Sequence, residues 1–574
     1  MPPATAPPPQ STAAPPPTAE ALRQISSLLA DLLPSTLSVT SFAARWQVLR
    51  SKLGAVQTLA AEIRDSPHWS DNPLLPTLLP ALLSTLRRTE ILCHHCRGEA
   101  AGRGKLLMQS DLDMATGWLS KQINDLELLL RSGVLHHSTA IVLSRPNSAS
   151  SKEELTFFVR DLFARLQIGG LEFKLKALDS LIQLLIEDSK SAMVVAREGD
   201  MRCLTSLLDS SGDDSVRELA VHAVSLLVAA GDLPRKCVFE EGALGPLLRI
   251  IECSSVQVKE RAAMAVEFIT ADHDNAWAIS AYGGVPVLIE LCKSGSLIAQ
   301  SYAVGAIRNV SVVEDIRAAL AEEGAVPVLI DLLVSGNASA QGKSANCISI
   351  LASTSEKIRK LLLQEKGLQK LVQLFHECPV AETVEHVLRA IYSFSDDEMS
   401  NRVLSESTMF IVQLADLIKL GKNIRLQHIA ASLLAKLSIS DRNKIVIAGC
   451  MGSLVRLMEA VKPDGVQEVA AKALTSLLSV KPNRKELVRD EKSLMRLAQM
   501  LDPRFEVLSK KSPVSVVAAI MAGGSHGCRK RLVAAGVHGH LQRLVEMDVV
   551  GAKKALQRLS GNRLTSLFSR TWRD

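Results

Sequence analysis

Apolar residues in the C-terminal two thirds of this chain fall in short blocks at helical spacing, each opened by glycine. The block returns at a fixed interval. Gly242-Ala-Leu-Gly-Pro-Leu-Leu-Arg-Ile-Ile, Gly283-Gly-Val-Pro-Val-Leu-Ile-Glu-Leu, Gly324-Ala-Val-Pro-Val-Leu-Ile-Asp-Leu-Leu and Gly449-Cys-Met-Gly-Ser-Leu-Val-Arg-Leu-Met are its clearest copies. Weaker copies begin at Gly199, near Gly367, near Thr408, near Glu491 and at Gly536. The step from Gly242 to Gly283 is the step from Gly283 to Gly324, and a fixed period of this length predicts a helical solenoid. The glycine suits a left-handed turn between two short helices, and Pro286 and Pro327 fall in the first turn of the second, where a missing N–H costs nothing. A longer third helix follows, as in Ala299 to Ser311, whose positions 299, 303, 306, 307 and 310 form one apolar or small face. One unit alone cannot bury that face. Stacked units can, and they leave their third helices lining one long concave surface.

Residues 18–135 lack this period and read as a four-helix bundle. Trp46, Leu49, Leu53, Val56, Ala60 and Ile63 alternate spacings of three and four, and Leu112, Ala115, Leu119, Ile123, Leu126 and Leu130 do nearly the same. Between them lie a Leu-rich helix, Pro73 to Arg97, and a glycine-rich break from Gly98 to Gly104. Residues 136–152, with Pro146, Asn147 and several serines, read as a linker; Ser151-Lys-Glu-Glu154 has the form of a capping box that opens the array. The array is assigned to residues 153–574, with about nine repeats, the last ones degenerate. Eight prolines in the stretch 1–17 predict a disordered tail there.

The three-helix pattern resembles the armadillo repeat. Glu323-Gly324-Ala-Val-Pro-Val-Leu-Ile-Asp-Leu-Leu is similar to that family's second-helix opening, and Ala306-Ile-Arg-Asn-Val-Ser311 to its third-helix Ala-Leu-Arg-Asn-Leu-Ser. The resemblance implies an all-α chain whose repeats wind into a right-handed superhelix that binds protein segments and has no chemistry of its own. The front end, through Trp46-Gln-Val-Leu-Arg-Ser-Lys-Leu, Thr89-Glu-Ile-Leu-Cys-His-His-Cys and Asp111-Leu-Asp-Met-Ala, looks like the helical domain that precedes armadillo repeats in a group of plant proteins, some of them U-box ubiquitin ligases. A U-box needs a compact module of its own around a Phe-x-Cys-Pro-Ile core, and the one Cys-Pro here, Cys378-Pro379, falls inside a repeat. The preferred function is thus a non-catalytic scaffold or adaptor; the alternative is an adaptor or competitor in a ubiquitin-ligase pathway.

Composition agrees. Aromatic residues at 3% and apolar residues at 47% suit a core of Leu, Val, Ile and Ala. The ten cysteines are scattered through helical patterns, as in a reducing compartment. Pro2 excludes N-myristoylation, and the apolar run from Leu74 to Leu86 is too short to span a bilayer. The expected location is the cytoplasm, with the nucleus or a membrane surface as alternatives. No cofactor or metal is expected. Gly336-Asn-Ala-Ser-Ala-Gln-Gly342-Lys-Ser344 has one residue too many for a phosphate loop and follows a helix. Cys93-His94-His95-Cys96 lies in a helical run that turns its members in divergent directions, which reads as one buried cysteine and a solvated histidine pair.

In import adaptors of the importin-α type, each third helix offers a Trp and, four residues later, an Asn. Stepping from Asn309 at the repeat period gives Leu226, Phe268, Asn309, Ile350, Ser393, Lys436 and Ser476 for the second position, and His222, Met264, Gly305, Asn346, Arg389, Ser432 and Lys472 for the first. One Asn survives and no Trp, so that mode of cargo recognition is not expected. The candidate partner-binding residues are instead Met264, Phe268, Asn309 and Ile350, suited to an apolar segment, and Arg389, Lys436 and Lys472, suited to acidic side chains; Phe268 and Ile350 can equally turn inward as core. The net charge of +6 is carried by the stretch from Gly524 onward, where ten Lys or Arg face three Asp or Glu. That stretch could meet an anionic membrane, RNA or an acidic partner, or serve as the solvated face of a capping repeat, the reading preferred here. With little aromatic interleaving, nucleic acid is not an expected partner.

Overall fold

In the computed structural model, the described residues are 18–97, 105–132, 135, 152–188, 190–209, 213–505, 509–523 and 525–560. The proline-rich start, the glycine-rich break, the linker, Ser151 of the capping box and the stretch 561–574 lie outside them. Every regular element among the described residues is helical, and none is long and apolar enough to cross a membrane. The chain divides into two compact units, Met1–Ile269 and Thr270–Asp574.

The first unit opens with the four expected helices, α1 (Thr18–Leu37), α2 (Ala43–Asp65), α3 (Leu75–Arg97) and α4 (Lys105–Arg131). α1 packs on α2 and α3, and α4 packs on the same two, so the α2-to-α3 connection crosses the diagonal of the bundle. The predicted stripes face its core: Trp46, Leu49, Leu53 and Ile63 are fully buried, as are Leu112, Ala115 and Leu119. Leu129 is fully buried, whereas the predicted Leu130 is only half-buried. Polar ties join the helices at their edges. Arg50 donates to the carbonyl oxygen of Thr36 at 2.9 Å, Gln122 to Thr85 Oγ1 at 2.8 Å, and Arg45 grips Asp113 through two nitrogens. Ile168 and Phe173, from the first array helices, pack against this core as partly buried residues. The third helices of this unit are α5 (Leu171–Glu187), α6 (Asp214–Ala230) and α7 (Val256–Thr270), whose last residue, Thr270, is the first of the second unit.

The second unit is a file of third helices, α8 (Leu297–Val310), α9 (Ala338–Thr354), α10 (Ala381–Phe394), α11 (Ile424–Lys436), α12 (Val466–Leu477), α13 (Lys511–Ile520) and α14 (Ala552–Ser560), each packed on the next. Their starts are set by capping side chains: Ser296 accepts from the Ala299 N–H at 3.1 Å and Asn337 from that of Ala340 at 2.8 Å. Small residues let them approach. Ala299, Ala303 and Ala306 on α8 and Ala340 and Ala345 on α9 are buried, and a Cβ on Gly342 would lie 2.7 Å from Thr383 Oγ1 on α10.

The glycine hinge holds in part. Gly283 (φ 64°) and Gly324 (φ 79°) are left-handed with open space around a hypothetical Cβ, so conformation and not room demands glycine there. At Gly367 the left-handed residue is instead its neighbour Lys366, at φ 61°. Gly367 is wanted for room, its Cβ falling 2.7 Å from the Leu362 carbonyl oxygen. Gly536, a weaker copy, is left-handed at φ 83°, as is Gly242 at φ 78°, whereas Gly199 is extended and Gly449 sits in a 3-10 turn, Ala448–Cys450, so the period is kept at positions where the turn is not.

Candidate functional site

The predicted ladder falls on both units. In the first, Met264 and Phe268 on α7 are half-buried, and the Arg235 guanidinium lies over the Phe268 ring, 5.8 Å from its centroid. Phe268 is therefore neither core nor bare surface. The same holds for Ile350 on α9 in the second unit.

The rest of the ladder lies along the file of the second unit, and its polar members are already engaged. The Asn309 amide donates to Thr270 Oγ1 at 3.2 Å and accepts from Arg308 at 2.6 Å. Arg389 pairs with Glu385 at 2.7 Å, and Lys472 with Glu468 at 2.9 Å; both cations sit one helical turn beyond their carboxylates and remain exposed. Lys436 is different. Its ammonium lies 2.6 Å from Asp396 and 4.2 Å above the centre of the Tyr392 ring, and only 23% of its side chain is exposed. The expected bare basic row is thus a row of internally balanced pairs, because the same helices supply carboxylates at i−4 or across one repeat.

A second row lies on the same helices one turn before Gly305, Asn346 and Arg389 and is not among the predicted positions: Tyr302, Lys343 and His386, again at the repeat period. The Lys343 ammonium stands 5.4 Å from the centre of the Tyr302 ring and donates to the Ser301 carbonyl oxygen at 3.1 Å. His386 has its Nε2 3.9 Å from Glu382, and burial holds its pKa below the ordinary histidine value. Burial acts the same way on His428, on α11. Lys343 and His386 line a cavity of about 320 Å³ with Arg308, Ser339, Asn346 and Thr383.

The apparent phosphate loop is here the cap and first turns of α9, with Ser344 Oγ donating to the Leu329 carbonyl oxygen. Cys93 and Cys96 are both buried in the bundle, one more than expected, while His94 and His95 point outward; the four do not converge. Among the described residues no group of three or more His, Cys, Asp or Glu could hold a metal ion. The buried thiols are poor nucleophiles: burial pushes Cys347 and Cys450 up to about 12.

The first helices carry a further periodic feature, Asn401, Asn443 and Asn483. Asn401 donates to the carbonyl oxygens of Ser395 and Lys436, and Asn483 to those of Leu477 and Lys444. Asn443 accepts from Thr408 Oγ1 at 3.0 Å. Asn401 and Asn483 stitch the end of a third helix to the neighbouring repeat, and Asn443 ties the start of a second helix to the repeat that follows. Their recurrence at close to the repeat period was the signal that could have found them.

The fold defines an all-α repeat protein, and the comparisons say which repeat. Residues 272–312 match the family model described as the armadillo/beta-catenin-like repeat. Residues 23–134, the bundle, match a separate model described as a domain of unknown function, DUF7032. Among solved structures, an engineered protein superposes with a TM-score of 0.57 at 24% identity, over 70% of this chain and 97% of its own. A designed armadillo repeat protein, and another in complex with the peptide (KR)4, each give a TM-score of 0.38 at 22% identity over 41% of this chain and 98% of theirs. No curated protein matches. The chain thus carries an armadillo/beta-catenin-like repeat at residues 272–312 within an all-α fold.

Proposed function

We propose that this chain is a non-catalytic scaffold that holds segments of partner proteins against the third-helix face of its second unit, with Ile350, Arg389, Lys436 and Lys472 among the contacting residues and Asn309 bracing the helix beneath them. Met264 and Phe268 would serve the same purpose on α7 of the first unit. The observation that carries this reading is the unbroken file from α8 to α14, whose face keeps side chains half-buried at the repeat period. A half-buried apolar side chain such as Ile350 still has surface to gain from a partner, about 25 cal/mol for each Å² covered. The balanced pairs at Arg389 and Lys472 give a partner polar groups to share and favour register over raw affinity.

Peptide display on the full chain tests this. Peptides selected on the parent protein should lose binding to a variant carrying Arg389→Glu and Lys472→Glu, two exposed changes checked by thermal melting to leave the fold intact. An unchanged selection would remove the third-helix face from consideration.

A further inference from the structure

The cavity on α8, α9 and α10 has the makings of a specific subsite. Its cations come from two helices, Arg308 on α8 and Lys343 on α9, and its one carboxylate, Glu382, sits at the rim with 86% of its side chain in solvent. Arg308 spends one nitrogen on Asn309, while its Nε is buried with no hydrogen-bond partner among the described residues. The same is true of Nδ1 of His386, which also lines the cavity. Two buried nitrogens without partners, on residues that line one cavity, are costly, and an oxygen-bearing ligand drawn in beside them would relieve that cost. Lys343 is held in place by the Tyr302 ring and the Ser301 carbonyl, and Arg389, the next cation along α10, is already paired with Glu385. The contact of Gly342 with Thr383 closes α9 on α10 beside the cavity. At about 320 Å³ the space takes a side chain and a few waters but no folded element.

We propose that this cavity receives an aspartate or glutamate side chain of the partner segment, its carboxylate accepting from Arg308, Lys343, Asn346 and His386. The subsite rests on the reading of the third-helix face as a peptide-binding surface, and it assigns that surface a preference. A segment carrying an acidic residue at the α9 position is favoured over one that is neutral or basic there.

Three fluorescein-labelled twelve-residue peptides, with Leu alternating with Glu, Gln or Lys, decide the matter by anisotropy titration of the full chain. The Glu peptide should bind at least tenfold tighter than the Gln peptide. In Arg308→Gln or Lys343→Gln, matched to the parent by thermal melting, that difference should shrink below threefold; His386→Gln serves if either variant melts early. Equal binding of Glu and Gln peptides, tighter binding of the Lys peptide, or a difference that survives the substitutions overturns the subsite and leaves the binding face standing. If none of the three peptides binds, the face itself falls and the subsite with it.

Discussion

The N-terminal bundle and the file of the second unit solve one problem, the burial of amphipathic helices, in opposite ways. The bundle closes on itself around bulky side chains, with Trp46 fully buried and the stripes of α2 and α4 turned into one shared core. The file never closes. Its third helices touch through Ala, Gly and Ser, so each repeat buries its faces only against its neighbours, and one polar and half-buried face stays open along the whole length. A closed core gives stability to a shape, whereas an open stack gives a surface whose character changes from repeat to repeat.

Four changes would break or sharpen this contrast. Trp46→Ala should cost the bundle about 3–5 kcal/mol through lost burial and the cavity left behind. Hydrogen exchange should rise across residues 18–131 while residues 297–560 keep the parent rate; faster exchange in both would show that the two regions share one cooperative core. Ala345→Leu, at a third-helix contact with no spare room, should cost about 1–3 kcal/mol by overpacking. Here the exchange should quicken in α9, α8 and α10 and not in the bundle, and a uniform rise over the file would contradict burial between neighbours alone.

Lys366→Gly should instead stabilise. Removing a left-handed non-glycine residue recovers about 1–2 kcal/mol, the added chain entropy of glycine takes back about 0.5–1 kcal/mol, and a gain on the order of 0.5 kcal/mol remains, readable as a higher melting temperature. The smallest effect concerns pH. His386 and His428 have folded pKa values below their unfolded ones, so the unfolded chain takes up protons first as pH falls through the ordinary histidine value of about 6.5. Their contribution is therefore intact above that value and is lost on going from about pH 7 towards 5, and His428→Gln should make the decline in melting temperature shallower. A steeper decline would mean that the ring is charged in the folded state.

Much of this is legible in the sequence. The repeat period located the third helices because Ser296 and Asn337 cap them and Ala and Val fill their inner faces, and both cues are local. The bundle stripes were legible for the same reason. Other features depended on partners one repeat away. That Lys436 would be covered follows from Tyr392 and Asp396, which belong to the preceding repeat and sit at no fixed offset from it. Near Gly367 the left-handed conformation that glycine supplies at Gly324 falls on Lys366, while Gly367 is needed only for room, a division that no local sequence cue marks. The row Tyr302, Lys343 and His386 is periodic and so readable in the sequence, but it lies off the two ladder positions of importin-α-type adaptors.

The account stands or falls on where a bound segment lies. Amide hydrogen exchange of the full chain, with and without a saturating display-selected peptide, should show slower exchange in α8, α9, α10 and α11 and no change in α1 to α4. Protection confined to the bundle, with the third helices unmoved, would contradict it.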